Sequence, residues 1–340
     1  MTGLGPGREF DLIRRALEAR TGSNLSRLHA TGDLPAPPAD RAGVIGPGDD
    51  AAILPAGLAV STDISVEDVH FRRSWLSARE IGFRAAAAAL SDLAAVGAGP
   101  AFLLVSTALP SDELGWEEIS RGVDEAAARV GAVVIGGDLS RSPGPLVLDV
   151  TVIGRVGEPL LRSAAVVGDE LWVSGPLGAA AAAVKLWLEG RAPPPALRSR
   201  FARPPDLSGF SQRLAKSGER RAAIDISDGL LADAAHVAAA SGVQVVIDRD
   251  AVPVSEEARS CLGEVESLKT ALSGGEDYEL LFTAQPGFNS AEFRCDGAVR
   301  IGRIAAGQGL VLLQDGAPAT PLEVGHDHFD TSVRPPSTLS

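Results

Sequence analysis

The chain of 340 residues holds only two cysteines and five histidines. Cys261 and Cys295 show neither a CxxC pair nor a zinc-ligand spacing, so a thiol metal centre and a disulfide scaffold are both unsupported, and two incidental thiols in a reducing compartment are expected. Apart from His326 and His328, which flank Asp327 near the C-terminus as in a solvated turn, the histidines form no ligand pattern. Several signatures are missing. There is no GxxxxGK[ST] phosphate loop, no GxGxxG between a strand and a helix, no protein-kinase signature and no GxSxG elbow. The N-terminus has no basic start followed by an apolar stretch, so no signal peptide is expected. The most apolar stretch, 178–190, is too short and too charged to span a bilayer, which points to the cytoplasm.

Hydrophobic residues make up 45% and charged residues 22%, the balance of an ordinary globular protein with material for a full core. The length suits two domains of about 150 residues each. A formal net charge of −13 would repel a phosphate backbone, so nucleic acid is an unsuitable partner. An acidic chain that binds phosphates must bring its own cations, and bound metal ions are the obvious source.

Alternating patterns run through the sequence. An amphipathic helix is expected at 8–20, strands at 58–63, 101–109, 132–137 and 146–156, and helices at 77–98 and 112–130, the former with Ser77 as N-cap. A second alternation starts near 160: strand 169–175, helix 176–190, strand 222–227, helix 228–241, and strands 243–248, 278–284, 298–304 and 309–314. The proline-rich stretch 191–206 is expected to be irregular. The pattern gives an α/β (α+β type) class, with mixed sheets flanked by helices. It divides into an N-terminal α/β domain at 1–156, a C-terminal α/β domain at 157–330, and a disordered tail at 331–340.

Six short segments pair aspartate or glutamate with glycine or with strand ends: GPGDD (46–50), STD (61–63), SD (91–92), GGD (136–138), DISDG (225–229) and SGGEDYE (273–279). Each alone is compatible with plain turn chemistry or an N-cap. Asp92, a lone carboxylate on an apolar helix, either faces solvent or meets a cation. Taken together, carboxylates at strand ends beside flexible backbone suit hard divalent cations and phosphate, and hence phosphoryl transfer with several Mg2+ ions. A phosphate acceptor with a second pKa of about 6 is ionised near neutrality, so no general base is needed.

In this order, GPGDDAA, STD with a downstream HF, LSDLAAVGAGP, IGGDLSR, IDISDGL and SGGEDYELLF resemble the thiamine-monophosphate kinase family, over residues 8–329. The resemblance implies the two-domain aminoimidazole-ribonucleotide synthetase-like fold and a homodimer. It also implies ATP and thiamine phosphate as substrates, with ADP and thiamine diphosphate as products. By motif, Asp50, Ser61, Thr62, Asp63, Asp92, Asp138, Asp225 and Asp228 correspond to magnesium ligands, with Asp63, Asp92, Asp225 and Asp228 at the reaction centre. Gly136, Gly137, Arg162 and Ser227 correspond to ATP contacts, and His70, Glu276 and Glu323 to the substrate end. The chain departs from the pattern at Glu323, where the family often carries an aromatic residue. Other ATP-using members of the superfamily, or an inactive nucleotide- or cation-binding protein, are the alternatives.

Overall fold

The computed structural model describes residues 48–111, 115–217, 221–287 and 296–319, together with 11–12, 15–16, 45–46 and 293–294. Residues 11, 12, 15 and 16 are helical, within the helix expected at 8–20. Glu323, Cys295, the His326–His328 pair and the expected tail lie outside the described residues.

Two mixed sheets organise the chain. The first has the order β1-β2-β5-β3-β4, with β1 at Ala52–Leu54, β2 at Leu58–Val66, β3 at Gly99–Leu109, β4 at Val133–Arg141 and β5 at Val147–Arg155. Its strands pair antiparallel except β3 with β4, which run parallel through the crossover helix α2 (Trp116–Arg129). The second sheet follows the order β12-β11-β8-β10-β6-β9-β7. Its members are β6 (Glu170–Val173), β7 (Ala223–Asp225), β8 (Gln244–Asp248), β9 (Leu280–Ala284), β10 (Val299–Ala305), β11 (Gly309–Gln314) and β12 (Ala317–Pro318). The expected class, α/β with two mixed sheets flanked by helices, is the one observed.

Helix α1 (Ala78–Ala95) is the axle of the molecule. Ser77 caps it: its hydroxyl accepts the Glu80 N–H, and the Glu80 side chain returns to the Ser77 backbone. Most of its residues are buried, because it packs on β2 and β5 of the first sheet, on α2, and on β7 of the second sheet. Small residues permit this crowding. A Cβ on Gly82 would lie 1.9 Å from the Ile119 carbonyl oxygen of α2, and one on Gly122 would lie 1.9 Å from that of Arg79. The two helices therefore approach backbone to backbone and fix each other's position.

The stretch 191–206 departs from expectation, since residues Pro195–Ala202 form helix α4. Proline is harmful inside a helix but suits the first helical position, where its missing N–H is not needed and its φ is already helical; Pro194 is the N-cap and Pro195 occupies that position. Helices α3 (Ala179–Leu188) and α4 pack together, and Trp75, Trp187 and Phe201 form an aromatic cluster there, the two indoles stacked at 4.9 Å. Helices α5 (Ser208–Lys216), α6 (Leu230–Ser241) and α7 (Glu256–Ser273) complete the layers.

Candidate active site

The strand ends and the α1 face meet in a cavity of about 770 Å3. Its lining brings Asp63, Asp92, Asp225, Ser227 and Asp228 together with His70, Trp75, Phe201, Glu276 and Tyr278. Helix α1 contributes Arg84, Ala88 and Asp92, all on the lining face, as the i, i+4, i+8 spacing requires.

Side-chain oxygens of Asp50, Asp92 and Asp225 lie within 4.8 Å of one another. Three different elements deliver them: the loop before β1, helix α1 and the end of β7. The Ser61 hydroxyl is 2.5 Å from the Asp92 carboxylate and 3.1 Å from the Asp50 carbonyl, so β2 is laced to both. Ser91 donates to Asp225 (2.8 Å). Among the described residues the basic group in direct contact is Arg162, whose guanidinium donates to both oxygens of Asp50, while its backbone N–H reaches Asp49 (3.2 Å).

The electrostatics follow from this crowding. Burial, then the charge of Asp225 and of Asp63, hold the Asp92 carboxyl well above the usual carboxylate range. Burial and Asp50 push Asp225 up to about 8; burial and Asp50 likewise raise Asp49 to about 7. Burial also raises Asp277, whose carboxylate accepts the Gly178 N–H (2.8 Å) before α3, to about 7. Each folded-state value exceeds the unfolded value near 3.8, so the folded chain binds more protons than the unfolded one between about pH 4 and 8. The stability these groups contribute is present below pH 4 and is lost as the pH rises through 7 to 8. Thermal unfolding of the protein in chelator should therefore show the melting temperature falling across that interval. A flat or rising profile would contradict the buried-carboxylate assignment.

The donor set fits Mg2+: all the side-chain ligands are oxygen, the carboxylates converge from separate elements, and their mutual repulsion exceeds what Arg162 neutralises. Beside this cluster stands a second group, Asp228 with Asp233 and His236. Asp233 is buried on α6 and accepts the backbone N–H groups of Asp228 (3.2 Å) and Gly229 (3.1 Å), which fixes the loop that carries Asp228. Burial and then the Arg162 charge push the His236 imidazole down to about 4, so it is neutral.

Not every expected residue converges. Thr62 points away from Ser61 and Asp63, as strand alternation dictates, and donates to Asp149 (2.6 Å) on the opposite face of the sheet. Asp138 is register partner to Ser106, which pairs with Asp149, so it shares that outer face; with Gly136 and Gly137 it lies exposed on edge strand β4. His70 lines the cavity, and its Nδ1 accepts the Val66 N–H (3.0 Å), which leaves the ring proton on Nε2. Arg162 faces Asp50 and Asp49, and Ser227 supports the 273–278 loop through its carbonyl, which accepts the Glu276 N–H (2.8 Å).

Four contributors escape a reading of the motifs: Arg84, Asp233, His236 and Tyr278. Arg84 carried a usable signal, since it stands on the same alanine-rich helix as Asp92 and, like it, is a charge among apolar residues. Asp233 and His236, three apart on α6, also share a helix face.

Residues 48–156 match the family described as AIR synthase related protein, N-terminal domain, and residues 166–313 match its C-terminal domain. The chain is 39% identical over 270 residues to the thiamine-monophosphate kinase of Methanopyrus kandleri, covering 78% of this chain and 85% of that protein. It is 35% identical over 308 residues to that of Salmonella typhimurium, covering 84% and 92%. Among solved structures it superposes on the Stenotrophomonas maltophilia thiamine-monophosphate kinase with a TM-score of 0.71 at 38% identity, covering 92% of this chain and 98% of the other. A structure described as AaThiL complexed with AMPPCP and TMP gives 0.75 at 31% identity, covering 95% and 97%. Family matches along both halves, and identity above 30% across most of each relative, agree with the order of the six acidic segments: the chain belongs to the AIR synthase related family and, within it, to the thiamine-monophosphate kinases.

Proposed function

We propose that this protein transfers the terminal phosphoryl group of ATP to thiamine phosphate, giving ADP and thiamine diphosphate. The observation that carries the reading is one cavity whose lining joins Asp92 and Asp225, two members of the three-carboxylate cluster, to the aromatic side chains Trp75, Phe201 and Tyr278 and to Glu276. Kinship with proteins named for that activity, one of them solved with AMPPCP and TMP, supports it.

Asp50, Asp92 and Asp225, with Asp63 and Asp228 beside them, would hold Mg2+ in this reading. Bound there, Mg2+ would screen the phosphate charges and stabilise the charge that develops on transfer. Ser61 and Ser91 keep the carboxylates of Asp92 and Asp225 in place. Arg162 would reach an ATP phosphate from its seat on Asp50, and the loop carrying Ser227 would follow the nucleotide. The acceptor phosphate is its own nucleophile, so the protein's contribution is to position and to neutralise. The neutral His70, with a proton on Nε2, and the carboxylate of Glu276 face the acceptor head. Homodimerisation belongs to the same reading, and the outer face of the first sheet supports it by exposing Ile64, Phe102 and Val133 beside Thr62 and Asp138.

The test is ADP release in the presence of Mg2+, measured with and without thiamine phosphate. Release that depends on thiamine phosphate is expected, together with formation of the diphosphate. ADP release that thiamine phosphate does not stimulate would sink the proposal.

A further inference from the structure

Glu276 sits in an unusual backbone position. Its φ is 74° and that of Tyr278 is 52°, both in the left-handed region that side chains avoid. Two backbone contacts maintain this loop: the Glu276 N–H donates to Ser227 (2.8 Å) and the Tyr278 N–H to Ile226 (2.8 Å). The outcome is visible at the carboxylate. Arg84 donates through Nη2 to Glu276 Oε2, and the Tyr278 hydroxyl donates to the same oxygen at 2.9 Å. Oε1 has no protein donor among the described residues, while Glu276 lines the cavity.

Arg84 is itself held. It is 4% exposed, its Nη1 donates to the Phe201 carbonyl at 2.6 Å, and its guanidinium lies over the Phe201 ring at 3.9 Å. A buried guanidinium fixed on three sides is a costly way to neutralise one glutamate. It is a good way to fix where that glutamate's second oxygen stands. Burial and the Glu276 charge keep the Tyr278 phenol protonated, hence a donor.

We infer that Arg84 and Tyr278 are positioning residues for acceptor recognition: together they occupy one oxygen of Glu276 and present the other to an N–H donor on the acceptor's head. Under the functional reading above, on which this rests, that donor is the amino group of the aminopyrimidine. Glu276 touches the acceptor; Arg84 and Tyr278 act only through it. The ion pair also means that Glu276 is not a bare anion attracting a cation, so recognition at this corner is directional rather than simply electrostatic.

Steady-state kinetics of Tyr278→Phe, Arg84→Lys and Arg84→Met, each alone and combined with Glu276→Gln, test the inference. The expected result is a KM for thiamine phosphate raised roughly 10-fold by Tyr278→Phe and by Arg84→Met, with kcat and the KM for ATP within about 2-fold. Arg84→Lys, which retains the charge, should recover part of the loss. On the Glu276→Gln background the same changes should add little, because the group they position has changed. Should Arg84→Met fail to fold, Tyr278→Phe, which preserves the ring packing, carries the test. A lowered melting temperature with unchanged KM, or KM effects that add fully to that of Glu276→Gln, overturns the inference while leaving the functional reading in place. An unaltered protein that does not turn over thiamine phosphate overturns both.

Discussion

Asp225→Asn should abolish phosphoryl transfer, leave the fold intact and raise the melting temperature of the metal-free protein. Asp225 is 3% exposed at the end of β7 and shares the cluster with Asp50 and Asp92. An amide is the same size, can still accept the Ser91 hydroxyl bond, and offers N–H donors to the neighbouring carboxylates. Burial and Asp50 lift this carboxyl to about 8, so near neutrality folding requires it to take up a proton that the unfolded chain does not bind; the amide needs none, and the folded state is relieved of that cost. The same substitution weakens the oxygen cluster that would hold Mg2+, and a loss in kcat of about 10^3 or more is expected. ADP release, circular dichroism and thermal unfolding measured on one preparation separate the effects. Turnover within tenfold of the unaltered protein, or a clear fall in melting temperature, would refute the assignment of Asp225 to the metal-holding cluster.

Gly275→Ala should injure both stability and activity, although it adds a single methyl group. The new Cβ would stand 2.1 Å from the Ser227 carbonyl oxygen, which is backbone and cannot rotate aside. The 274–278 loop must then retreat, breaking the bonds from Glu276 to Ser227 and from Tyr278 to Ile226 that hold two residues at positive φ. Overpacking and two strained hydrogen bonds together should cost about 2–4 kcal/mol, seen as a lowered unfolding midpoint. Because Ser227 and Asp228 lie on the far side of that contact, the residues proposed to follow the nucleotide move as well as the Glu276 corner. A fall of about 100-fold in kcat/KM is expected, against a much smaller one for Gly297→Ala, whose Cβ would meet nothing nearer than 3.5 Å although its positive φ carries a strain cost of its own. Gly275→Ala with unaltered kinetics would show that the two loops are not mechanically joined.

Much of this was legible in the residues. Strand ends that stop on Asp63 and Asp225 could be read from apolar runs followed by carboxylates, and the capping of α1 from Ser77 and Glu80. Asp92 posed a choice between solvent and a cation; the packing of α1 against β2 and β7 turns it into the cavity, with Ser61 beside it and Asp225 opposite, and a cation there belongs to the proposed function. The rest depends on contacts between segments distant in sequence. Arg84 gains its partners from Phe201 and Glu276, 117 and 192 residues away, and no local pattern contains that information. Helix α4 was hidden because three consecutive prolines read as a breaker, although one of them stands where a helix can begin. Asp138 carries the motif's signature, yet its register places it beside Ser106 on the outer face of the first sheet.

Helix α1 also sets a length. Arg84 and Asp92 are eight residues apart, which at about 1.5 Å per residue separates their backbones by roughly 12 Å. The contact of Gly82 with α2 prevents the helix from sliding, so this interval is rigid. In the proposed reaction α1 is thus a gauge between the carboxylates and the Glu276 corner. Under that reading, an acceptor that touches both the carboxylates and the Glu276 corner would be held in register for transfer. Choice among phosphate compounds, all carrying the same charged group, then falls to the backbone of one helix.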